Sequence, residues 1–205
     1  MQGYVRGKIR TDPAYHIALS TLRNSHLPVL DIGCGMGFLS FFLRECGFAP
    51  PIIGVDFDAP KIASAREIAH AHYEDLDFRV EDAASVQDFQ GNVVLLDVLQ
   101  YLPPEKQHDL LRLLPSLIAP GGQCIIRGTP KDSSWRFRFT QWDDRAMHAI
   151  RWIKSPALYY LSKDEITGPF LLPGFRSEVR PLWGRTPFNS HLFVFERTTE
   201  SVSCV

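Results

Sequence analysis

The chain has 205 residues, of which 45% are hydrophobic and 22% charged, enough apolar material for one domain with a core. Its formal net charge of −1 excludes the overall basic field that non-specific nucleic-acid binding needs. The four cysteines have no C-x-x-C spacing, and no apolar run approaches the roughly 20 residues that span a membrane. The first ten residues carry no apolar leader. We therefore expect a cytoplasmic protein with no metal site and no membrane span.

Hydrophobic periodicity and turn residues predict helices that alternate with strands. Asp12 and Pro13 are residue types typical of a helix N-cap and first turn, and Asp58 is a second N-cap. In chain order, we predict a helix at residues 13–24, a strand at 28–32, a helix at 38–46, a strand at 51–56, a helix at 58–73, strands at 78–80 and 92–97, a helix at 103–119, a strand at 123–127, helices at 134–154 and from 162, and strands at 175–183 and 190–197. Pro115 is expected to kink or shorten its helix.

The alternation predicts an α/β fold with a doubly wound, mostly parallel sheet in three layers. The last two strands are joined by residues 184–189, a link too short for a helix. They should therefore pair antiparallel and form a C-terminal hairpin. We expect one domain over residues 1–205, with an N-terminal helical lid at residues 1–25 and an inserted cap at residues 128–161.

Residues 31–37, Asp-Ile-Gly-Cys-Gly-Met-Gly, lie between the first strand and the helix after it. Glycines let the backbone adopt positive φ and approach a ligand closely, and the helix start offers unpaired N–H groups. This stretch resembles the first motif of class I S-adenosylmethionine-dependent methyltransferases, an acidic residue followed by G-x-G-x-G. The resemblance covers roughly residues 28–197 and is nearest to bacterial small-molecule enzymes of the polyketide, aryl polyene or quinone tailoring type.

Four acidic residues are predicted at or just after strand ends, and the resemblance assigns a specific contact to three of them, Asp97 being the fourth. The carboxylate matching Asp31 lies by the methionine amino group, the one matching Asp56 accepts the ribose hydroxyls, and the one matching Asp82 accepts the adenine amine. The implied cofactor is S-adenosylmethionine, with S-adenosylhomocysteine as the product. The implied cofactor-binding residues are Asp31, Gly33, Cys34, Gly35, Met36, Gly37, Asp56, Phe57, Asp82, Ala83, Asp97 and Val98. Asp82 also has the position of a simple helix cap.

Two other functions stay open at this point. A nicotinamide dinucleotide site would have G-x-G-x-x-G, but its third glycine position is Phe38 here, and Asp31 would lie beside the pyrophosphate. The other alternative is a module that binds S-adenosylmethionine without catalysis. The identity of Phe38 and the position of Asp31 both favour S-adenosylmethionine, which is positively charged, over a dinucleotide.

Methyl transfer needs an acceptor held in line with the methyl–sulfur bond, and a general base helps when the acceptor is a hydroxyl. The candidate catalytic residues are Tyr101, His148 and His16, although each also fits an ordinary structural role. Residues 97–103, Asp-Val-Leu-Gln-Tyr-Leu-Pro, depart from the Asn/Asp-Pro-Pro-Tyr/Phe pattern of methyltransferases that act on adenine or glutamine amino groups. We therefore expect a small apolar or aromatic acceptor, with oxygen slightly favoured as the methylated atom.

The acceptor is expected to lie under the N-terminal segment and the predicted helix at residues 134–154. The candidate substrate residues are Tyr4, Gln100, Trp135, Phe139 and Trp142. That helix could form an aromatic lid, an ordinary core helix, or a basic dock for an acidic partner such as an acyl carrier protein. Arg138 and Arg145 would carry the docking charge.

Overall fold

The computed structural model describes residues 12–149, 158–184 and 186–199, the side chains of residues 147–149 excepted. The helices within these residues are α1 (Pro13–Leu22), α2 (Phe38–Glu45), α3 (Ala59–His72), α4 (Pro104–Leu117), α5 (Trp135–Ala149) and α6 (Lys163–Thr167). The strands are β1 (Val29–Ile32), β2 (Ile52–Asp56), β3 (Leu76–Val80), β4 (Asn92–Leu96), β5 (Gln123–Gly128), β6 (Phe175–Pro181) and β7 (His191–Arg197). Short 3₁₀ helices lie at Ala83–Ser85, Leu99–Tyr101 and Gly168–Phe170.

These strands form one sheet in the order β3-β2-β1-β4-β5-β7-β6. The first five pair in parallel, whereas β7 pairs antiparallel with both β5 and β6. The predicted C-terminal hairpin and the predicted fold class are therefore confirmed. Because β1 and β4 are central neighbours, residues that follow them lie together at the carboxyl edge of the sheet, where doubly wound folds bind ligands.

The core has a layer on each face of the sheet. Val29, Val94 and Ile125 pack on one face with α1 and α2. The residues that follow them in the same strands point to the other face, because successive side chains alternate along a strand. Leu30, Leu95 and Ile126 therefore belong to the cluster that includes α4 and α6. Both faces of the central strands are covered, which explains their continuous apolar sequences.

Several predicted boundaries shift by a few residues. β1 ends at Ile32 and β4 at Leu96, so neither Asp31 nor Asp97 is the last residue of its strand. α4 continues past Pro115 but ends at Leu117, two residues before the predicted end. The predicted helix at residues 134–154 is described only as α5, and its last part lies outside the described residues. In the part of the chain that the structure describes, no helix is both long and apolar enough to cross a bilayer.

Candidate active site

The turn between β1 and α2 has three glycines with left-handed backbone, at φ angles of 69° for Gly33, 56° for Gly35 and 76° for Gly37. A Cβ atom on Gly33 would lie 2.4 Å from a methyl carbon of Val98, and one on Gly37 would lie 2.6 Å from the Phe78 ring. At Gly35, the nearest atom outside its chain neighbours would be 3.9 Å away. The outer glycines are therefore required by packing, whereas Gly35 leaves room for a ligand.

Asp31 is a buried carboxylate beside this turn, with 3% of its surface exposed. Its Oδ2 accepts a hydrogen bond of 3.1 Å from the Ser40 hydroxyl in α2. The pKa of Asp31 is raised to about 7: burial is the main cause, the Ser40 hydrogen bond opposes the rise, and the negative charge of Asp56 adds to it. A cationic partner would compensate this desolvated charge, as a ligand ammonium group does through a charge-assisted hydrogen bond.

Asp56, the last residue of β2, joins that strand to the glycine turn. Its Oδ2 accepts from the Gly35 backbone N–H at 2.9 Å, and its Oδ1 accepts from the Asp58 N–H at 2.9 Å. Asp58 itself caps α3 by accepting from the Lys61 N–H. Carboxylate oxygens carry further lone pairs, so Asp56 can still accept hydroxyl hydrogen bonds. Phe57 follows with 78% of its surface exposed, free to pack on a planar ring.

Asp82 has the structural role that the sequence left open. Its side chain accepts from the Ala84 N–H and so caps the Ala83–Ser85 turn, and it also forms an ion pair with Lys106 in α4. The Lys106 hydrogen bond, followed by the one from Ala84, lowers the pKa of Asp82. A contact between Asp82 or Ala83 and a ligand stays a prediction.

A buried arginine that the sequence analysis did not select lies at the end of β5. Arg127 donates to Asp97, which follows β4, and to both carboxylate oxygens of Asp12. Burial acts to lower its pKa, but the negative charges of Asp97 and Asp12 outweigh burial and raise the pKa. The sequence feature that could have indicated Arg127 is its position as a charged residue directly after the apolar run of residues 124–126.

The segment before α6 lies on the turn that contains Tyr101. The Tyr159 N–H donates to the Gln100 carbonyl at 3.0 Å, and the Gln107 amide donates to the carbonyls of Leu99 and Tyr159. The neighbouring Tyr160 packs edge-on against Phe137 of α5, with 5.2 Å between ring centroids. This docking forms a cavity of about 360 Å³, open to one side, whose lining includes Gln107, Lys131, Phe137, Gln141, Tyr160 and Glu165.

A tyrosine–carboxylate pair lies beside this cavity. The Tyr160 hydroxyl donates to Asp144 of α5. Burial raises the pKa of Asp144, as do the charges of Asp143 and Asp97, while the Tyr160 hydrogen bond opposes the rise. Burial also raises the pKa of Tyr101, and the charges of Asp97 and Asp144 add to it. Tyr101, Asp144 and Tyr160 therefore interact electrostatically at the carboxyl edge of the sheet.

Of the three alternatives for α5, an ordinary core helix with its aromatic face buried does not fit the structure. Trp135 and Trp142 are 61% and 65% exposed, and the half-buried Phe139 packs on Trp142 and Phe188. Among the described side chains of α5, those of Phe137 and Thr140 are buried. The sequence missed this because both faces of the helix carry aromatic residues.

The remaining candidates that the structure describes lie on different elements. His16 is exposed on α1, and its ring packs edge-on against Phe42 of α2, with 5.2 Å between ring centroids. The His148 side chain and Tyr4 lie outside the described residues. Cys34 and Met36 are half-buried in the glycine turn, and burial raises the pKa of the Cys34 thiol. Gln100 is half-buried, and its backbone carbonyl accepts from Tyr159.

The donor set fits the cofactor that the resemblance implies. Asp31 offers a desolvated carboxylate to an amino group, Gly35 leaves open space, and Asp56 offers acceptor oxygens to ribose hydroxyls. A family model described as "Methyltransferase domain" matches residues 23–159. The chain belongs to this methyltransferase family. The predicted family, enzyme class and cofactor are thereby confirmed, and the nicotinamide alternative is set aside.

Solved structures of two methyltransferases share this fold. The methyltransferase is 21% identical to magnesium protoporphyrin IX methyltransferase from Synechocystis PCC 6803 with bound S-adenosylhomocysteine, with a TM-score of 0.67 over 94% of this chain and 83% of that one. It is 18% identical to 1,6-didemethyltoxoflavin-N1-methyltransferase of Burkholderia thailandensis, with a TM-score of 0.64 over 91% of this chain and 77% of that one. At these identities the likeness shows the fold.

Curated relatives match a shorter part of the methyltransferase. Ribosomal protein L11 methyltransferase of Burkholderia vietnamiensis is 34% identical over 100 residues, which are 49% of this chain and 31% of the relative. The same enzyme of Burkholderia ambifaria is 30% identical over 119 residues, or 57% of this chain and 37% of the relative. The chain thus spans about a third of the length of these relatives.

Proposed function

We propose that this methyltransferase transfers the methyl group of S-adenosylmethionine to a hydroxyl of a small, apolar or aromatic acceptor. The observation that carries the proposal is the cavity beside the Tyr160–Asp144 pair, at the carboxyl edge where Tyr101 follows β4. The bound cofactor supplies an electrophilic methyl group. Asp31, the glycine turn and Asp56 would hold it, and Phe57 would cover the adenine face.

The chain's own residues would then position the acceptor and take its proton. Phe137 and Tyr160 give the cavity an aromatic wall. Asp144, with its raised pKa, is a better base than an exposed carboxylate, and its charge also acts on Tyr101. The proposed cap at residues 128–161 contributes α5 and the segment before α6 to this wall. In this proposal Tyr101 orients the hydroxyl, and Trp135 and Trp142 are not required.

Transfer of a labelled methyl group to a panel of phenolic acids, amines, carrier-bound acyl groups and ribosomal protein tests the proposal. We expect hydroxyl compounds to be methylated, and Asp144→Asn to reduce kcat by about 10²–10⁴-fold without changing the Kd of the cofactor. Asp109→Asn is the matched control, because it removes one carboxylate charge at an exposed position of α4. Methylation of protein alone would favour the function of the L11 relatives, and cofactor binding without any product would favour a non-catalytic module.

We further propose that a carrier protein or another acidic partner can present the acceptor to the outer face of α5. Exposed Trp142 lies between exposed Arg138 and Arg145 on this helix, so the face combines an apolar anchor with positive charge. Reversing both charges to glutamate should weaken carrier binding and reduce its salt dependence. Arg112→Glu, at an exposed position of α4, is the control. Unchanged carrier binding in the double variant would exclude this face.

A further inference from the structure

A single buried guanidinium joins the N-terminus of α1 to the turn after β4. Arg127 is 9% exposed, and its Nη1 donates to the two Asp12 carboxylate oxygens at 2.5 and 2.6 Å. Its Nη2 donates to Asp97. Asp12 is also the N-cap of α1, because its Oδ1 accepts from the Ala14 N–H at 3.0 Å. The orientation of α1 is therefore coupled to β5 and to the residue after β4.

This bridge, defined as Asp12–Arg127–Asp97, lies on the same face of the sheet as the carboxylate assigned to the cofactor's amino group. Asp31 is in register with Val94 of β4 and Val94 with Ile125 of β5, and the Arg127 side chain, two residues after Ile125, points to the same face. Tyr15 of α1 is 5% exposed, and burial raises its pKa. The negative charges of Asp31 and Asp12 raise that pKa further, while Arg127 lowers it. Tyr15 packs with Val29, Val94 and Ile125 on this face, so α1 covers the strands that carry Asp31 and Arg127.

The bridge also fixes the backbone after β4. Asp97 has a φ of 60°, a conformation uncommon outside glycine, asparagine and aspartate. Its N–H donates to the Arg127 carbonyl at 3.0 Å, so both its backbone and its side chain are attached to the same residue of β5. Val98, the next residue, packs directly over Gly33 of the glycine turn. Movement of Asp97 would therefore be transmitted to the turn.

Stability alone does not account for such a bridge. Desolvating three charges offsets much of their attraction, and apolar replacements of buried ion pairs are often equally stable. A buried guanidinium with fixed hydrogen-bond directions does, however, define the relative orientation of the groups it joins. The geometry points to Arg127 as a positioning residue for the methionine end of S-adenosylmethionine, acting through Asp12 and Asp97. This inference rests on the proposed placement of that end beside Asp31.

Calorimetric titration with three ligands tests the inference. S-adenosylmethionine and S-adenosylhomocysteine carry the methionine part, whereas 5′-methylthioadenosine lacks its amino and carboxylate groups. Asp12→Ser breaks the bridge but keeps a good N-cap residue on α1. We expect Asp12→Ser to bind the first two ligands at least tenfold more weakly and to bind 5′-methylthioadenosine within twofold of the unmodified protein. Arg112→Met, which breaks an exposed ion pair in α4, is the matched control.

Arg127→Met gives a second, independent break of the bridge, with circular dichroism to establish that each variant is folded. Equal weakening for all three ligands would show general loosening and overturn the positioning role, as would unchanged affinity for the two methionine-containing ligands. If the unmodified protein bound only 5′-methylthioadenosine, the placement of the methionine end would be wrong. If it bound none of the three, the cofactor assignment would fail and this inference with it.

Discussion

Replacing Asp31 with asparagine removes a buried charge while keeping the shape of the side chain and an oxygen that can accept from Ser40. In the folded, cofactor-free protein, burial raises the pKa of Asp31 from 3.8 to about 7. The folded protein therefore retains a proton that the unfolded chain releases between about pH 4 and 7. The free energy of unfolding of the cofactor-free protein should fall as pH rises through this window. Above pH 7 the full decrease is present.

The size of this effect follows from the pKa difference. A rise from 3.8 to about 7 corresponds to at most roughly 4 kcal/mol, since one pKa unit is about 1.4 kcal/mol. Without cofactor at pH 8, Asp31→Asn should therefore be more stable than the unmodified protein by up to about 4 kcal/mol, and the gap should close toward pH 4. Urea unfolding at a series of pH values measures it.

The same substitution should weaken cofactor binding. Loss of a hydrogen bond between two charged groups costs about 1.5–3 kcal/mol, which corresponds to a 10- to 150-fold larger Kd for S-adenosylmethionine at pH 8. Affinity of the unmodified protein should rise with pH up to about 7, and that of the variant should not. Asp109→Asn, at an exposed position in α4, controls for the change in net charge. A variant that is less stable at pH 8, or one that binds the cofactor unchanged, would refute the reasoning.

Three further substitutions separate packing from binding at the same site. Gly33→Ala should destabilise the protein by about 2–4 kcal/mol in urea unfolding, because it combines positive φ with a clash against Val98. Gly35→Ala should cost only about 1–2 kcal/mol but should weaken S-adenosylmethionine binding, so equal unfolding costs would contradict the two roles. Phe57→Ala should leave the unfolding free energy within about 0.5 kcal/mol and raise the Kd several-fold, whereas an unchanged Kd would remove the ring from the adenine site.

The sequence by itself determined the layers of the fold. The alternation of apolar strands with helices, and the short link before the last strand, were sufficient to predict a mostly parallel sheet with an antiparallel end. These features are local, because turn residues and hydrophobic periodicity act over a few positions. The glycine turn and Asp56 were predicted for the same reason, since their order along the chain carries the signal.

Only the tertiary structure decided which charges meet. Asp12 and Arg127 are 115 positions apart in sequence, and no pattern along the chain predicts that their side chains pair. The Tyr160 hydroxyl likewise donates to Asp144 because the segment before α6 folds back onto the turn after β4. The outward face of α5 was also undecided, since both faces carry aromatic residues. These contacts depend on which elements pack against each other. Packing between elements that are distant in sequence leaves no local pattern of residues along the chain.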